Sequence, residues 1–252
     1  MTGPSLTSLP DGYRALVFGA TGGVGAALCR AIAADPRCGA LYAASRSGAA
    51  PDGAAGLKFS LDAPSSIETA VATAAGETGL HLVITATGAL HGEEGLEPEK
   101  SWRQLDAARL EAAFRVNTIL PAMIARSALG ALAASRATPE KCVFAALSAR
   151  VGSISDNRLG GWHGYRASKA ALNQIIRTLS IELAHKAPSA VCAGLHPGTV
   201  DTGLSRPFQR NVPEGKLFSP DYAAGRLLSV IDGLGPEQSG RCFDWAGEEI
   251  AP

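Results

Sequence analysis

Tyr165 and Lys169 stand four residues apart in Gly164-Tyr165-Arg166-Ala167-Ser168-Lys169. They head a segment whose apolar residues, Leu172, Ile175, Ile176, Leu179 and Leu183, follow helical spacing. On a helix the two side chains share one face, about one turn apart. An ammonium beside a phenol favours the phenolate and pulls the tyrosine pKa down from about 10. A phenol tuned that way can give or take a proton at a carbonyl or alcohol oxygen. A lone Tyr-x-x-x-Lys is more often a solvated surface pair, so its meaning rests on the elements around it.

The chain opens with what such a pair would need. Arg14-Ala15-Leu16-Val17-Phe18 is a short apolar run, consistent with a buried strand. Gly19-Ala20-Thr21-Gly22-Gly23-Val24-Gly25 follows, and then helix-like Ala26 to Ala34. Strand, glycine loop and helix form the context of a dinucleotide-binding turn. Its glycines allow close backbone approach, and the helix N-terminus offers N–H groups to a pyrophosphate. Leu41 to Ala44 reads as a second strand, ending in Ser45-Arg46-Ser47. An NAD-type site places an acid there for the ribose 2′-hydroxyl. An arginine with two hydroxyls suits a 2′-phosphate instead; the alternative is a solvated arginine on a loop.

Leu57 to Asp62 reads as a third strand with Asp62 at its end, and Pro64 opens a helix to about Ala75. Leu80 to Ala86 is a fourth strand, stopping at Thr87-Gly88; His81 on it reads as structural. Glu93 to Lys100 reads as a solvated charged loop. Asp106 to Ser135 is helical in composition, disturbed near Pro121, with Asn117 polar among apolar neighbours. Lys141 to Leu147 is a fifth strand that delivers Ser148 at its carboxyl end. Residues 149–164 are glycine-rich and carry Arg158, Trp162 and His163, which either line a substrate pocket or only lengthen a surface loop. Ala190 to Leu195 is a sixth strand, leading into His196-Pro197-Gly198-Thr199-Val200-Asp201-Thr202. Residues 203–218, with Leu204, Arg206, Pro207, Phe208 and Arg210, lack periodicity and read as a lid. A helix from Ser219 to about Ile231 and a short strand over Gly240 to Trp245 close the chain.

Strands alternate with helices throughout, which predicts an α/β fold: a Rossmann-type, doubly wound, mainly parallel sheet of about seven strands with helices on both faces. Residues 1–12 are expected to be a loose arm and 13–252 a single domain. Ligands of such sheets bind outside the carboxyl ends of the strands. The glycine loop, Ser45-Arg46, Asp62, Thr87-Gly88, Ser148 and Pro197-Gly198 all fall at such ends.

The bulk properties bound the partners. Lys+Arg and Asp+Glu both number 23 in 252 residues, which argues against a nucleic-acid footprint or an anionic-membrane surface. Five scattered cysteines without C-x-x-C spacing read as free, mostly buried thiols of a reducing compartment, and no metal site is expected. No signal peptide is apparent, and no window approaches the roughly 18 apolar residues of a membrane span. The expected location is the cytoplasm.

Taken together these residues resemble the short-chain dehydrogenase/reductase family, in its single-domain branch, from Arg14 to Trp245. Gly19, Gly23 and Gly25 match the family's T-G-x-x-x-G-x-G turn, with Phe18 in place of the threonine. Thr85-Ala86-Thr87-Gly88 stands where the family has Asn-Asn-Ala-Gly, so both asparagines are missing. Asn117, Ser148, Tyr165 and Lys169 match its catalytic set, and Pro197-Gly198 its Pro-Gly element. The interval from Ser148 to Tyr165 is longer than usual. Within the family the chain is similar to the C-factor-like and sniffer-like carbonyl reductases.

The resemblance implies NAD(P)(H)-dependent hydride transfer at a CH–OH or C=O group, with NADP(H) preferred over NAD(H), and a small-molecule carbonyl or alcohol as substrate. Tyr165 would be the proton donor in reduction, Lys169 would lower its pKa, Ser148 would hold the substrate oxygen, and Asn117 would anchor a water leading from Lys169 to solvent. Cofactor contacts would come from Gly19, Thr21, Gly22, Gly23, Val24, Gly25, Ser45, Arg46, Leu61, Asp62, Ala86, Thr87, Gly88, Asn117, Tyr165, Lys169, Pro197, Gly198, Thr199, Val200 and Thr202. The resemblance also implies a homodimer or homotetramer. A cofactor-binding sensor or signalling protein with incidental turnover is the other reading. A sugar-nucleotide epimerase would need a longer C-terminal substrate domain.

Overall fold

The computed structural model describes residues 5–92, 95–132 and 140–252. In chain order the main elements are β1 (Tyr13–Phe18), α1 (Gly23–Ala33), β2 (Cys38–Ser45), β3 (Ala55–Lys58), α2 (Pro64–Ala75), β4 (Leu82–Thr85), α3 (Ala107–Phe114), α4 (Leu120–Leu132), β5 (Cys142–Leu147), α5 (His163–Lys186), β6 (Ala190–His196), β7 (Thr199–Val200), β8 (Leu217–Phe218), α6 (Pro220–Gly233) and β9 (Cys242–Asp244). Seven strands form one sheet in the order β3-β2-β1-β4-β5-β6-β9, every neighbouring pair parallel. The order reverses between β1 and β4, which opens a crevice at their carboxyl ends.

The central strands are apolar on both faces because helices cover both. In β1 the side chains alternate: Ala15 and Val17 pack with Leu28 and Ile32 of α1 and Leu227, Leu228 and Ile231 of α6. Leu16 and Phe18 point the other way, into Ile67 and Val71 of α2, Ile124 of α4 and Leu172 and Ile176 of α5. Each inward-facing Leu, Ile or Phe withdrawn from water contributes about 1.5–3 kcal/mol to this two-sided core.

Three expectations need correction. Residues 5–12 are not a loose arm; residues 1–4 lie outside the described part. Leu6 and Leu9 are buried in the α1/α6 core, and the buried Asp35 carboxylate accepts hydrogen bonds from Leu6 N, Tyr13 Oη, Ser5 Oγ and Arg37 N. Burial alone would raise the Asp35 pKa, but these donors outweigh it and hold the group below the usual carboxylate range. That stabilisation is complete above the unfolded-state pKa and is lost as pH falls through the lower folded-state value. Asp35→Ala is therefore expected to cost about 2–3 kcal/mol at pH 7, from the donors it orphans. The gap to wild type should narrow in urea melts below pH 4; a pH-independent difference would contradict this linkage.

The third strand lies earlier than Leu57 to Asp62. β3 ends at Lys58, the partner of Ser45, and Phe59 turns its ring onto Phe18 with centroids 5.1 Å apart. Ser60 N donates to Ser66 Oγ, so residues 60–63 form a turn before α2. The alternation Leu57, Phe59, Leu61 marks burial and not a longer ladder. The loop 93–100 is not simply solvated either. Glu93 and Glu94 lie outside the described residues, but Glu99 is only 3% exposed, and its carboxylate accepts from Gly164 N in the first turn of α5.

The disturbance expected near Pro121 is present. Residues Arg115–Ile119 form one turn of π-helix between α3 and α4, with Leu120 N bonded to Arg115 O. The end of the expected helix at 133–135 lies outside the described residues. The lid segment carries more structure than its sequence suggests: a 3-10 turn at Arg206–Asn211, and β8 paired in parallel with β7. His81 is structural, its Nδ1 accepting from Arg14 N.

Candidate active site

One cleft runs across the carboxyl ends of the strands in two lobes that share Gly22, Ala86, Thr87, Gly88, Gly203 and Leu204. The first, about 350 Å³, is bounded by Gly23 and Val24 at the start of α1, by Ser148, Tyr165 and Lys169, and by His196, Pro197, Gly198, Val200 and Thr202. The second, about 450 Å³, holds Gly19 and Thr21, Ser45 and Arg46, Leu61 and Asp62, and Arg115. Of the residues expected to contact a cofactor, three do not line this cleft. Gly25 is packed under the loop, where a Cβ would stand 2.2 Å from Gly19 O. Asn117 is fully buried behind Gly88. Thr199 belongs to β7.

The glycine loop is shaped by close approach. Gly19 has φ +78°, and a Cβ there would meet the Ala86 backbone at 2.8 Å. Gly22 caps α1 without a side-chain hydrogen bond, so the N-cap residue offers no acceptor to the first N–H groups of the helix. Thr87 Oγ1 is buried with no hydrogen-bond partner among the described residues. An elongated anionic ligand would meet the open helix terminus and this unpaired hydroxyl. The cleft therefore fits a dinucleotide.

Helix α5 brings Tyr165 and Lys169 to the first lobe. Lys169 Nζ lies 5.8 Å from the Tyr165 ring centroid and donates to Leu147 O at 2.8 Å. The expectation that the ammonium lowers the phenol pKa is not met in this arrangement. Burial pushes Tyr165 up to about 12 and Lys169 down to about 8. Enclosure penalises both charged forms and is the cause of both shifts. Tyr165 is thus a protonated acid at neutral pH, the form needed to give a proton.

Ser148 follows β5, and its Oγ donates to Asn173 Oδ1 at 2.6 Å. Asn117 sits in the π turn, but its amide is committed: Oδ1 accepts from Ala89 N, and Nδ2 donates to Ala89 O and to Ser168 Oγ. It ties the segment after β4 to α5, so any water held by Asn117 would have to bond its main chain.

The 149–164 loop is part exposed and part packed, and its Arg158, Trp162 and His163 do not line either lobe. Leu159 is 92% exposed, whereas Trp162 packs its ring on Tyr165 and on Phe208 of the lid, with centroids 6.3 and 5.0 Å apart. Trp162 is the one described non-glycine residue in the left-handed region, at φ +52°. Its N–H bonds Glu99 O, and the Glu99 side chain holds the next turn.

The family model for short chain dehydrogenase matches residues 13–213. The chain belongs to the short-chain dehydrogenase family. It is an oxidoreductase acting on CH–OH or C=O groups. Among curated relatives of this short-chain dehydrogenase, C-signal of Myxococcus xanthus is 36% identical over 146 residues, 58% of this chain and 80% of that one. The 1-hydroxy-2-glutathionyl-2-methyl-3-butene dehydrogenase of a Rhodococcus species is 40% identical over 95 residues, 38% of this chain and 40% of that one. Solved structures share the fold, carbonyl reductases among them. The NADPH-bound carbonyl reductase from chicken fatty liver has a TM-score of 0.83 at 22% identity, covering 100% of this chain and 96% of its own. The carbonyl reductase Sniffer of Drosophila melanogaster has a TM-score of 0.79 at 21% identity, covering 95% and 99%.

Sequence reasoning about this dehydrogenase missed Arg115, Asn173 and Glu99, whereas Leu204 of the expected lid does line the cleft. Arg115 enters the second lobe and pairs with Asp62. Only Asn173 carried a signal: it stands four residues beyond Lys169, hence on the same helix face. Among the described residues no cluster of His, Cys, Asp and Glu could hold a metal, and no helix is long and apolar enough to cross a membrane. The five cysteines are free thiols, and burial pushes Cys29, Cys192 and Cys242 up to about 12 and Cys142 up to about 11.

Proposed function

We propose that the chain is an NADPH-dependent reductase of small-molecule carbonyl compounds, working in the cytoplasm as a homo-oligomer, with residues 13–252 as one catalytic domain. The observation that carries this reading is a single cleft joining an uncapped helix N-terminus to Tyr165, Lys169 and Ser148. Gly19, Thr21, Gly22, Gly23 and Val24 would hold the pyrophosphate. Ser45 and Arg46 would hold the 2′-phosphate, and Leu61 and Asp62 the adenine end. Thr87 and Gly88 line the passage between the lobes. Pro197, Gly198, Val200 and Thr202 enclose the nicotinamide end. A bound nicotinamide supplies the hydride.

Tyr165 stands ready as the proton donor to the oxygen that gains charge during reduction. Lys169 holds the cofactor ribose and, while charged, stabilises the phenolate left behind. Ser148 binds the substrate oxygen and offsets its developing charge. Kinship with the NADPH-bound and Sniffer carbonyl reductases supports the choice of substrate and cofactor. Screening aldehydes, ketones and quinones for NADPH oxidation tests the reading, with Tyr165→Phe as control. Similarity to C-signal favours a second reading, a signalling protein that binds NADP(H); tight cofactor binding with no turnover on any carbonyl would select it.

Cofactor choice rests on the end of β2, where no acid stands and Arg46 enters the second lobe. Charge-assisted hydrogen bonds of about 1.5–3 kcal/mol would be lost in Arg46→Ala. NADPH affinity should fall by about tenfold or more, while NADH affinity changes little. Titration of both cofactors by fluorescence decides this, and equal losses would remove the 2′-phosphate role.

A further inference from the structure

Three side chains at four-residue intervals on α5 face the end of β5: Tyr165, Lys169 and Asn173. Lys169 bonds the carbonyl of Leu147, and one turn on, Asn173 bonds the hydroxyl of the next residue, Ser148. Ser148 is buried, and its Oγ has no other hydrogen bond among the described residues. A serine hydroxyl has one hydrogen. While Asn173 Oδ1 takes it, Ser148 offers a substrate oxygen only lone pairs, the wrong polarity for an oxygen that becomes negative in reduction. The carboxamide of Asn173 carries an acceptor and a donor of nearly equal size. Turned about its Cβ–Cγ bond, it would place an Nδ2–H on Ser148 Oγ and release the serine hydrogen into the cavity.

We propose that Asn173 is a positioning residue for carbonyl reduction, its carboxamide setting the direction in which the Ser148 hydroxyl donates. This rests on the reading of Ser148 as the group that binds the substrate oxygen. The side chain acts only through Ser148 and touches neither substrate nor cofactor. An aspartate would accept from Ser148 at all times and keep its hydrogen from the substrate. An alanine would leave the hydroxyl free to rotate.

A double-mutant cycle on NADPH-dependent reduction tests the proposal. With Ser148 present, Asn173→Ala is expected to lower kcat about tenfold and to change KM less than about threefold. In Ser148→Ala enzyme the same change should alter kcat by less than about twofold. Asn173→Asp should lower kcat further than Asn173→Ala, whereas a structural role would favour the near-isosteric aspartate. Equal losses in the two backgrounds, or an aspartate variant more active than the alanine one, would overturn the proposal. If Asn173→Ala does not fold, the cycle is run with Asn173→Asp. Wild-type turnover in Ser148→Ala would instead remove the reading of Ser148 on which the proposal rests.

Discussion

Tyr165→Phe is expected to lower carbonyl reduction by about 10²–10⁴-fold, the usual contribution of a positioned proton donor. The fold should survive the change. Tyr165 Oη makes no hydrogen bond among the described residues, so its loss leaves no buried partner unsatisfied. NADPH affinity should stay within about fivefold of wild type, the worth of one hydrogen bond to ribose. The wild-type enzyme should also have a defined pH profile. Burial keeps Tyr165 protonated up to about 12 and lets Lys169 lose its charge near 8. Reduction is then level below about pH 8 and declines above it, as the ammonium that stabilises the phenolate is lost. Steady-state kinetics from pH 6 to 10 read this directly. Full activity in Tyr165→Phe would end the acid–base assignment.

Gly25→Ala is the second large effect, and it separates structure from contact. A Cβ at Gly25 would stand 2.2 Å from Gly19 O and 2.9 Å from its carbon. Both are backbone atoms, so no rotamer change relieves the clash. The glycine loop must move, at a cost of about 3 kcal/mol or more, and the cradle between β1 and α1 is lost with it. Gly23→Ala has a similar clash on paper, 2.4 Å, but with Thr202 Cγ2 at the end of a side chain. Rotation of Thr202 clears its Cγ2 and leaves its Cβ in tight contact at 3.0 Å, which a small shift relieves. The expected pattern is a protein with a sharply lowered melting point and no NADPH binding for Gly25→Ala, against a folded protein with altered cofactor affinity for Gly23→Ala. Equal melting points for the two would contradict the packing described for Gly25.

Much of this site lay in plain view along the chain. Alternating strands and helices determined the parallel sheet, because strands buried on both faces must be apolar throughout and need crossovers between them. Glycines after β1, and Ser45, Thr87, Ser148 and Pro197 near other strand ends, determined where a ligand would lie, since a parallel sheet brings those ends together. The helical spacing of Tyr165 and Lys169 determined that they share a face. Each of these signals is local or follows from simple topology.

Tertiary structure decided the rest. Leu6 and Leu9 read as part of a loose arm because their partners, Asp35 and the α1/α6 core, lie elsewhere in the chain. Glu99 read as a solvated charge because its bonding partner, Gly164, is 65 residues away. Arg115 meets Asp62 across 53 residues, a pairing that no period in the chain announces, and helical spacing puts Asn173 on the face of Lys169 without saying that it meets Ser148, 25 residues away. The sign of the Tyr165 shift was decided in the same way. Spacing places an ammonium near the phenol, but only the packed protein determines how much water both groups lose, and that loss sets the direction of both shifts. Sequence determined most of the chemical groups that converge on the cleft, because they sit at strand ends or share a helix face; enclosure decided which of them carry a proton.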